Sequence, residues 1–204
     1  IVLATSIAET SLTIEWVRVV IDGGWLRIPR FDPRSGLTRF ETIRVTRDSA
    51  YQRGVIAGRL EPGICYRLWT EKEQVSLAVH RPPEILEADL APLMLDLAQW
   101  GAQSPDEFSW LTPPPPGAVA QAKDLLIQLG AFSTDERLTD HGRQMAELPL
   151  HPRLAHMLIS AISLGLADQA CEVAALLSER DVLHGPSADQ NADVRVRLDV
   201  LQGE

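Results

Sequence analysis

The spacing of apolar residues changes along the chain at about Thr70, and that change most constrains the fold. Beyond it, Leu86, Leu90, Leu93, Leu97 and Trp100 step by four, three, four and three, which places them on one face of a helix. Val119, Ala122, Leu126 and Leu129 mark a second helix, stopped by Gly130. Leu154, Leu158, Ala161 and Ile162 mark another, ended by Gly165, and Val173, Ala174 and Leu177 one more. Before Thr70 the apolar residues come instead in short, β-branched runs. Ile1–Ala4 and Val17–Ile21 read as buried strands, and Ile64–Trp69 as a last strand after a helix over 49–57. The expectation is an α/β part followed by an α part.

Punctuation sharpens this picture. Trp25–Phe31 and Leu37–Val45 flank Asp32-Pro33-Arg34-Ser35-Gly36, which is turn chemistry, so a β-hairpin is expected there. Asp89 is placed to cap the first helix of the α part, with Pro92 in its first turn and Gly101 as its stop. Asp168 is placed to cap a later helix. The run Pro113–Pro116 suits neither a helix interior nor a central strand, and is short enough for an ordered connection. Phe132–Leu138, with a turn at Thr134-Asp135-Glu136, suits a small β-wing, and Thr139 caps a short helix that ends before Pro149. Helix, helix, wing and short helix together suggest a winged-helix module. A weaker helical pattern returns near Val194–Leu201, as at the start of a helical bundle.

Charge is divided unevenly. Ten arginines against seven acidic residues leave 1–70 at +3, whereas 71–204 carries −12 within a net charge of −9. The only lysines are Lys72 and Lys123. Arginine's planar fork matches phosphate oxygens, so a phosphate-binding surface fits the first third despite the overall acidity; an arginine-rich surface without that role fits as well. No apolar run approaches the ~18 residues of a membrane span. Cys65 and Cys171 rule out a disulfide scaffold and any cysteine-rich zinc site, and suit a reducing compartment such as the cytoplasm. Both are expected in the core, as are Trp100 and Trp110, while Trp25 is the tryptophan placed to stack on a base. The five histidines show no metal-ligand pattern, and no metal site is expected. The chain opens inside an apolar run, as if continuing from upstream sequence.

Two segments are more polar than a bland sheet requires. Thr5–Thr13 follows the first expected strand and offers hydroxyls and backbone N–H groups where α/β sheets bind ligands. Gln52–Arg59 gathers a glutamine, two arginines and two glycines, a combination suited to a polyanion. A capped connection and a solvated basic helix are the plain alternatives.

Ala4-Thr5-Ser6-Ile7-Ala8-Glu9-Thr10-Ser11-Leu12-Thr13-Ile14 resembles motif V of the DEAH-box helicases, and Gln52–Arg59 resembles their motif VI. The hairpin between them is similar to the strand-parting hairpin of that family. Trp110–Pro115 and the stretch Leu138–Ala155, with Gly142–Leu150 inside it, resemble the family's downstream domains. Phe31–Thr38 and Gln99-Trp100-Gly101 narrow the likeness to the bacterial HrpB type. The likeness runs to about Leu183.

The resemblance implies three parts: 1–70 as part of a second RecA-like lobe, 71–149 as a winged helix, and 150–204 as the opening of a helicase-associated helical domain. It implies that Thr5, Ser6, Arg27, Arg39 and Arg53 meet the backbone of RNA, mostly single-stranded. It further implies that Ser11 and Thr13 are on the nucleotide side and that Gln52 and Arg59 face ATP phosphates and act in catalysis. ATP with magnesium would be held largely by a first RecA-like lobe, because this chain has neither a G-x-x-x-x-G-K-[ST] loop nor a D-E-x-H box. Alone it is expected not to hydrolyse ATP. Ser6 stands where the family usually has asparagine. Val55 and Ile56 replace a glycine and an arginine of Q-R-x-G-R-x-G-R, so one arginine finger is missing. The rival readings are a non-catalytic winged-helix module that binds nucleic acid or protein, and a protein-interaction scaffold.

Overall fold

The computed structural model describes residues 1–9, 16–32, 36–179, 181–183 and 192–203. Backbone contacts divide them into two units, Ile1–Asp89 and Leu90–Glu204.

In the first unit, β1 (Val19–Asp22) pairs in parallel with β4 (Ile64–Arg67), and β2 (Trp25–Asp32) pairs antiparallel with β3 (Leu37–Arg44). The expected hairpin forms, with Trp25 opposite Arg44 and Asp32 opposite Leu37. Its residues alternate as a half-buried sheet requires: Leu26 and Ile28 are buried, and Trp25 and Arg27 face out. Between the two pairs runs α1 (Arg47–Ala57), packed on β1 and β4. The first amides of α1 find acceptors outside the helix: Arg47 N donates to Ala78 O and Asp48 N to Val79 O. The Thr46 hydroxyl donates to the Asp48 carboxylate, which also accepts from Ser49 N and stands 3.1 Å from His80 Nδ1. Those bonds hold Asp48 below the usual carboxylate range, with Thr46 the largest contributor. Val45, Ala50 and Leu77 form a small core against Trp69. A capping box between Thr70 and Glu73 starts α2 (Glu71–Ser76).

Ile1–Ala4 is not a strand. Residues 1–5 have no ladder partner among the described residues, and Ile1, Val2 and Leu3 are exposed. An apolar run becomes a strand only when a neighbour accepts its backbone hydrogen bonds. The described sheets are therefore two separate pairs rather than one continuous α/β sheet.

The second unit is helical: α3 (Ala91–Gln99), α4 (Pro116–Gln128), α5 (Asp140–Ala146), α6 (Pro152–Ser163), α7 (Ala167–Ser178) and α8 (Val194–Gln202). Helix α3 packs on α4, α5 and α6, and α7 packs on α6 and α8. Of the expected stripes Leu90, Leu97, Ala122, Leu126, Ala161 and Ala174 are buried, with Met145 beside them, whereas Leu86, which precedes α3, and Ile162 and Leu177 are exposed. Phe132 and Leu138 pair as a single bridge, the reduced form of the expected wing. Thr139 caps α5 as expected, accepting from Gly142 N at 3.0 Å. Gly130 and Gly165 end α4 and α6 with positive φ.

Several expectations shift. Leu90 rather than Asp89 occupies the N-cap of α3, and Leu166 rather than Asp168 that of α7, where Asp168 lies in the first turn and complements the helix dipole instead of capping it. Trp100 is the C-cap of α3 and 78% exposed, since the helix closes before its last stripe position. Cys171 is exposed, whereas burial pushes the half-buried Cys65 thiol upward, so it stays protonated. Trp110 is half-buried, its indole N–H donating to Pro105 O.

Candidate nucleic-acid interface

A cleft of about 300 Å³ opens beside β1. Thr5, Ser6 and Glu9 line one side, Asp22, Gly23 and Trp25 the end of the strand, and Arg53 and Ile56 the helix side. Thr5 precedes a single 3-10 turn, Ser6–Ala8, and both hydroxyl residues are exposed. The structure thus brings Thr5, Ser6 and Arg53 together. Ser11 and Thr13 lie outside the described residues. Gln52 and Arg59 are exposed and do not line this cleft.

Arg53 is the least accessible of the expected contacts. Its Nε donates to Glu9 Oε1 at 2.7 Å and its Nη1 to Asp22 Oδ1 at 2.8 Å, with Trp25 O at 3.1 Å. Burial works against its charge, but the hydrogen bonds and charges of Glu9 and Asp22 outweigh burial and raise its pKa further. Ser49 Oγ closes the group by donating to Glu9 Oε2 at 2.6 Å. Asp22 Oδ1 also accepts from Gly24 N, where φ is +76°. Glu9 sits inside the motif V string without being marked out there, and Asp22 lies outside both motifs; their role comes from meeting an arginine 44 and 31 positions away.

The hairpin offers a different surface. On its outward face Arg27 lies over Phe40, 4.9 Å from the ring centre, and Arg44 over Trp25 at 4.8 Å. Across the strands Arg30 stands directly opposite Arg39. Arg30 is paired with Glu41 at 2.9 Å and Glu87 at 3.2 Å. Arg39 is exposed and makes no ion pair among the described residues. Like charges directly opposite on a sheet destabilise it, so an exposed, uncompensated Arg39 suits a surface that receives an anion.

Among the described residues no group of three metal-ligating side chains converges, and no helix is long and apolar enough to cross a membrane. At the junction of α5 and α6, His141 Nε2 and His156 Nδ1 are 2.9 Å apart.

The chain is similar in sequence and fold to known proteins. Residues 124–150 match the family described as helicase associated domain (HA2), winged-helix, and residues 151–200 the one described as helicase associated domain (HA2), ratchet-like. The chain is 49% identical over 179 residues to the ATP-dependent RNA helicase HrpB of Escherichia coli, covering 88% of this chain and 22% of that protein. It is 34% identical over 197 residues to the probable ATP-dependent RNA helicase DHX35 of Homo sapiens, covering 96% of this chain and 28% of that protein. A crystal structure of the E. coli DEAH/RHA helicase HrpB superposes with a TM-score of 0.81 at 43% identity, over 98% of this chain and 27% of that one. The chain therefore spans roughly a quarter of the length of these relatives.

Proposed function

The chain belongs with the DEAH-box RNA helicases of the HrpB type, a part of whose length it spans, and from that premise we propose that it is the nucleic-acid-gripping middle and helicase-associated part of an ATP-dependent RNA helicase. Residues 1–70 are the partial second RecA-like lobe, 71–149 the winged helix, whose opening stretch 71–89 packs within the first unit, and 150–204 the opening of the helicase-associated helical domain. The match boundary between residues 150 and 151 supports the last division.

The observation that carries the reading is Arg39: exposed, without an ion pair among the described residues, and facing Arg30 across the hairpin. Thr5, Ser6, Arg27 and Arg39 meet the phosphates and sugars of single-stranded RNA, with Arg53 behind the hydroxyl turn. Contacts of this kind hold the backbone and carry no sequence information. Gln52 and Arg59, exposed and outside the cleft, suit a nucleotide held by the first RecA-like lobe; Ser11 and Thr13, which the motif likeness assigns to that nucleotide, lie outside the described residues. Bound there, ATP with magnesium supplies the phosphoryl-transfer chemistry. This chain's part is to present donors to the charge that develops. With Val55 and Ile56 in motif VI, one donor fewer is presented.

Salt-dependent binding of fluorescent oligouridine to the 204-residue chain tests the proposal. Arg39→Ala lowers the slope of log K against log salt by about 0.7, the share of one phosphate on a single strand, and Lys123→Ala leaves it unchanged. Equal losses from both variants, or no salt-dependent binding by the unaltered chain, refute it. A loss confined to Lys123→Ala favours the winged-helix module.

A further inference from the structure

Resting on the RNA-binding reading above, we infer that Arg53 is a positioning residue rather than an RNA contact: by bridging Glu9 and Asp22 it holds the Thr5–Ser6 turn against α1 and the end of β1. The side chains of Arg53, Glu9 and Asp22 are 16%, 11% and 1% exposed. Two carboxylates around one guanidinium leave the cluster with a formal charge of −1, which repels a phosphate. Arg39, exposed and without an ion pair among the described residues, has the opposite character.

The bridge also spans the elements that matter. Glu9 closes the turn that begins at Thr5, through Glu9 N to Ser6 O at 3.0 Å. Ser49 and Arg53, one helical turn apart on α1, grip both oxygens of Glu9. Asp22 ends β1; its Oδ2 is buried with no hydrogen-bond partner among the described residues, and its Oδ1 accepts from Arg53 and from Gly24 N. The helix that carries Gln52 is thereby fastened to the turn that carries Thr5 and Ser6. A movement of α1 that drew Arg53 from Glu9 would release the turn. Lysine, a single point of charge, cannot reproduce a bridge made from two separate guanidinium nitrogens.

The test uses the 204-residue chain and two readouts. Amide hydrogen exchange is followed at Ala8 and Glu9, whose N–H groups bond within the turn, with the β2–β3 ladder as an internal reference. Arg53→Gln, Arg53→Lys and Glu9→Gln are each expected to raise exchange in the turn about tenfold or more, as loss of a charge-assisted bond implies, while the ladder stays protected. In oligouridine titrations the same variants weaken binding with an unchanged salt slope, and Arg53→Gln with Glu9→Gln together is no worse than either alone. If Arg53→Gln unprotects the ladder as well, Glu9→Gln, which leaves the bond to Asp22 in place, decides. Unchanged exchange in the turn overturns the inference. So does a salt slope lowered by about 0.7 in Arg53→Gln and restored in Arg53→Lys, which would make Arg53 a phosphate contact. Should the unaltered chain bind no RNA, the RNA reading fails, and the exchange arm still decides the role of Arg53.

Discussion

Gly63→Ala tests the packing of the first unit at its tightest point. A Cβ at Gly63 would lie 1.9 Å from Ala57 O, 2.5 Å from Ala57 C and 2.7 Å from Arg18 O. Ordinary contact begins at 3.4 Å, so the shortfall at Ala57 O is about 1.5 Å, and every nearby atom is backbone. The φ of Gly63 is not in the left-handed region, so alanine meets no dihedral penalty and the cost is all space. Relieving the clash means moving β4 away from the last turn of α1 and from β1. That movement strains the bond from Ile64 N to Arg18 O, 2.8 Å long, which opens the parallel pairing. Overpacking costs about 1–3 kcal/mol and the loss of one hydrogen bond about 1, so the substitution should destabilise the unit by about 3 kcal/mol. That is roughly a hundredfold in the folding equilibrium. Gly58→Ala is the matched control: φ is −106° there and nothing lies within 4 Å of an added Cβ, so its effect should stay within about 0.5 kcal/mol. Urea unfolding, with hydrogen exchange at Val20 and Tyr66 reporting the β1–β4 pair, measures both. A Gly63→Ala protein within about 0.5 kcal/mol of the unaltered chain, or a Gly58→Ala protein equally weakened, would refute the reasoning.

Two further outcomes are expected of the second unit. Leu126→Ala removes a side chain with no exposed surface and should cost about 2–5 kcal/mol, read as a lowered melting temperature together with faster exchange in α4 and α5. Burial first, and the charge of His156 second, hold the His141 pKa below its ordinary value of 6.5. The folded state thus takes up that proton less readily than the unfolded chain. The stability His141 contributes is complete above about pH 6.5 and is lost as pH falls through the lower folded value. His141→Gln should flatten the melting temperature over that window, and a profile as steep as that of the unaltered chain would contradict this account.

Much of the α part was legible because helices answer to near neighbours. The leucine stripes, the Thr139 cap and the glycine stops lie within a few residues of the groups they act on. The hairpin was legible for the same reason, its turn chemistry lying between two alternating runs. Where a polar residue only lay close to a helix start, as Asp89 and Asp168 do, the cap fell one or two residues away from it. The resemblance to motif V and motif VI picked out the two segments that meet at the cleft, while the partition of their residues was hidden. Arg27, Arg39 and Arg53 look alike in the sequence, yet one lies over Phe40, one is exposed without an ion pair among the described residues, and one is held between two acids.

What the sequence determined by itself is local: most of the element types, most of their limits, and a family likeness. What only the tertiary structure decided is which charges are satisfied. Ile1–Ala4 shows the same division, since its composition suits a strand but a strand exists only where a partner accepts its hydrogen bonds. The physical reason is range. Helical and turn preferences act over about four residues, whereas Arg53 meets Glu9 and Asp22 only after the chain has folded back over 44 and 31 positions, and no periodic pattern records such a meeting.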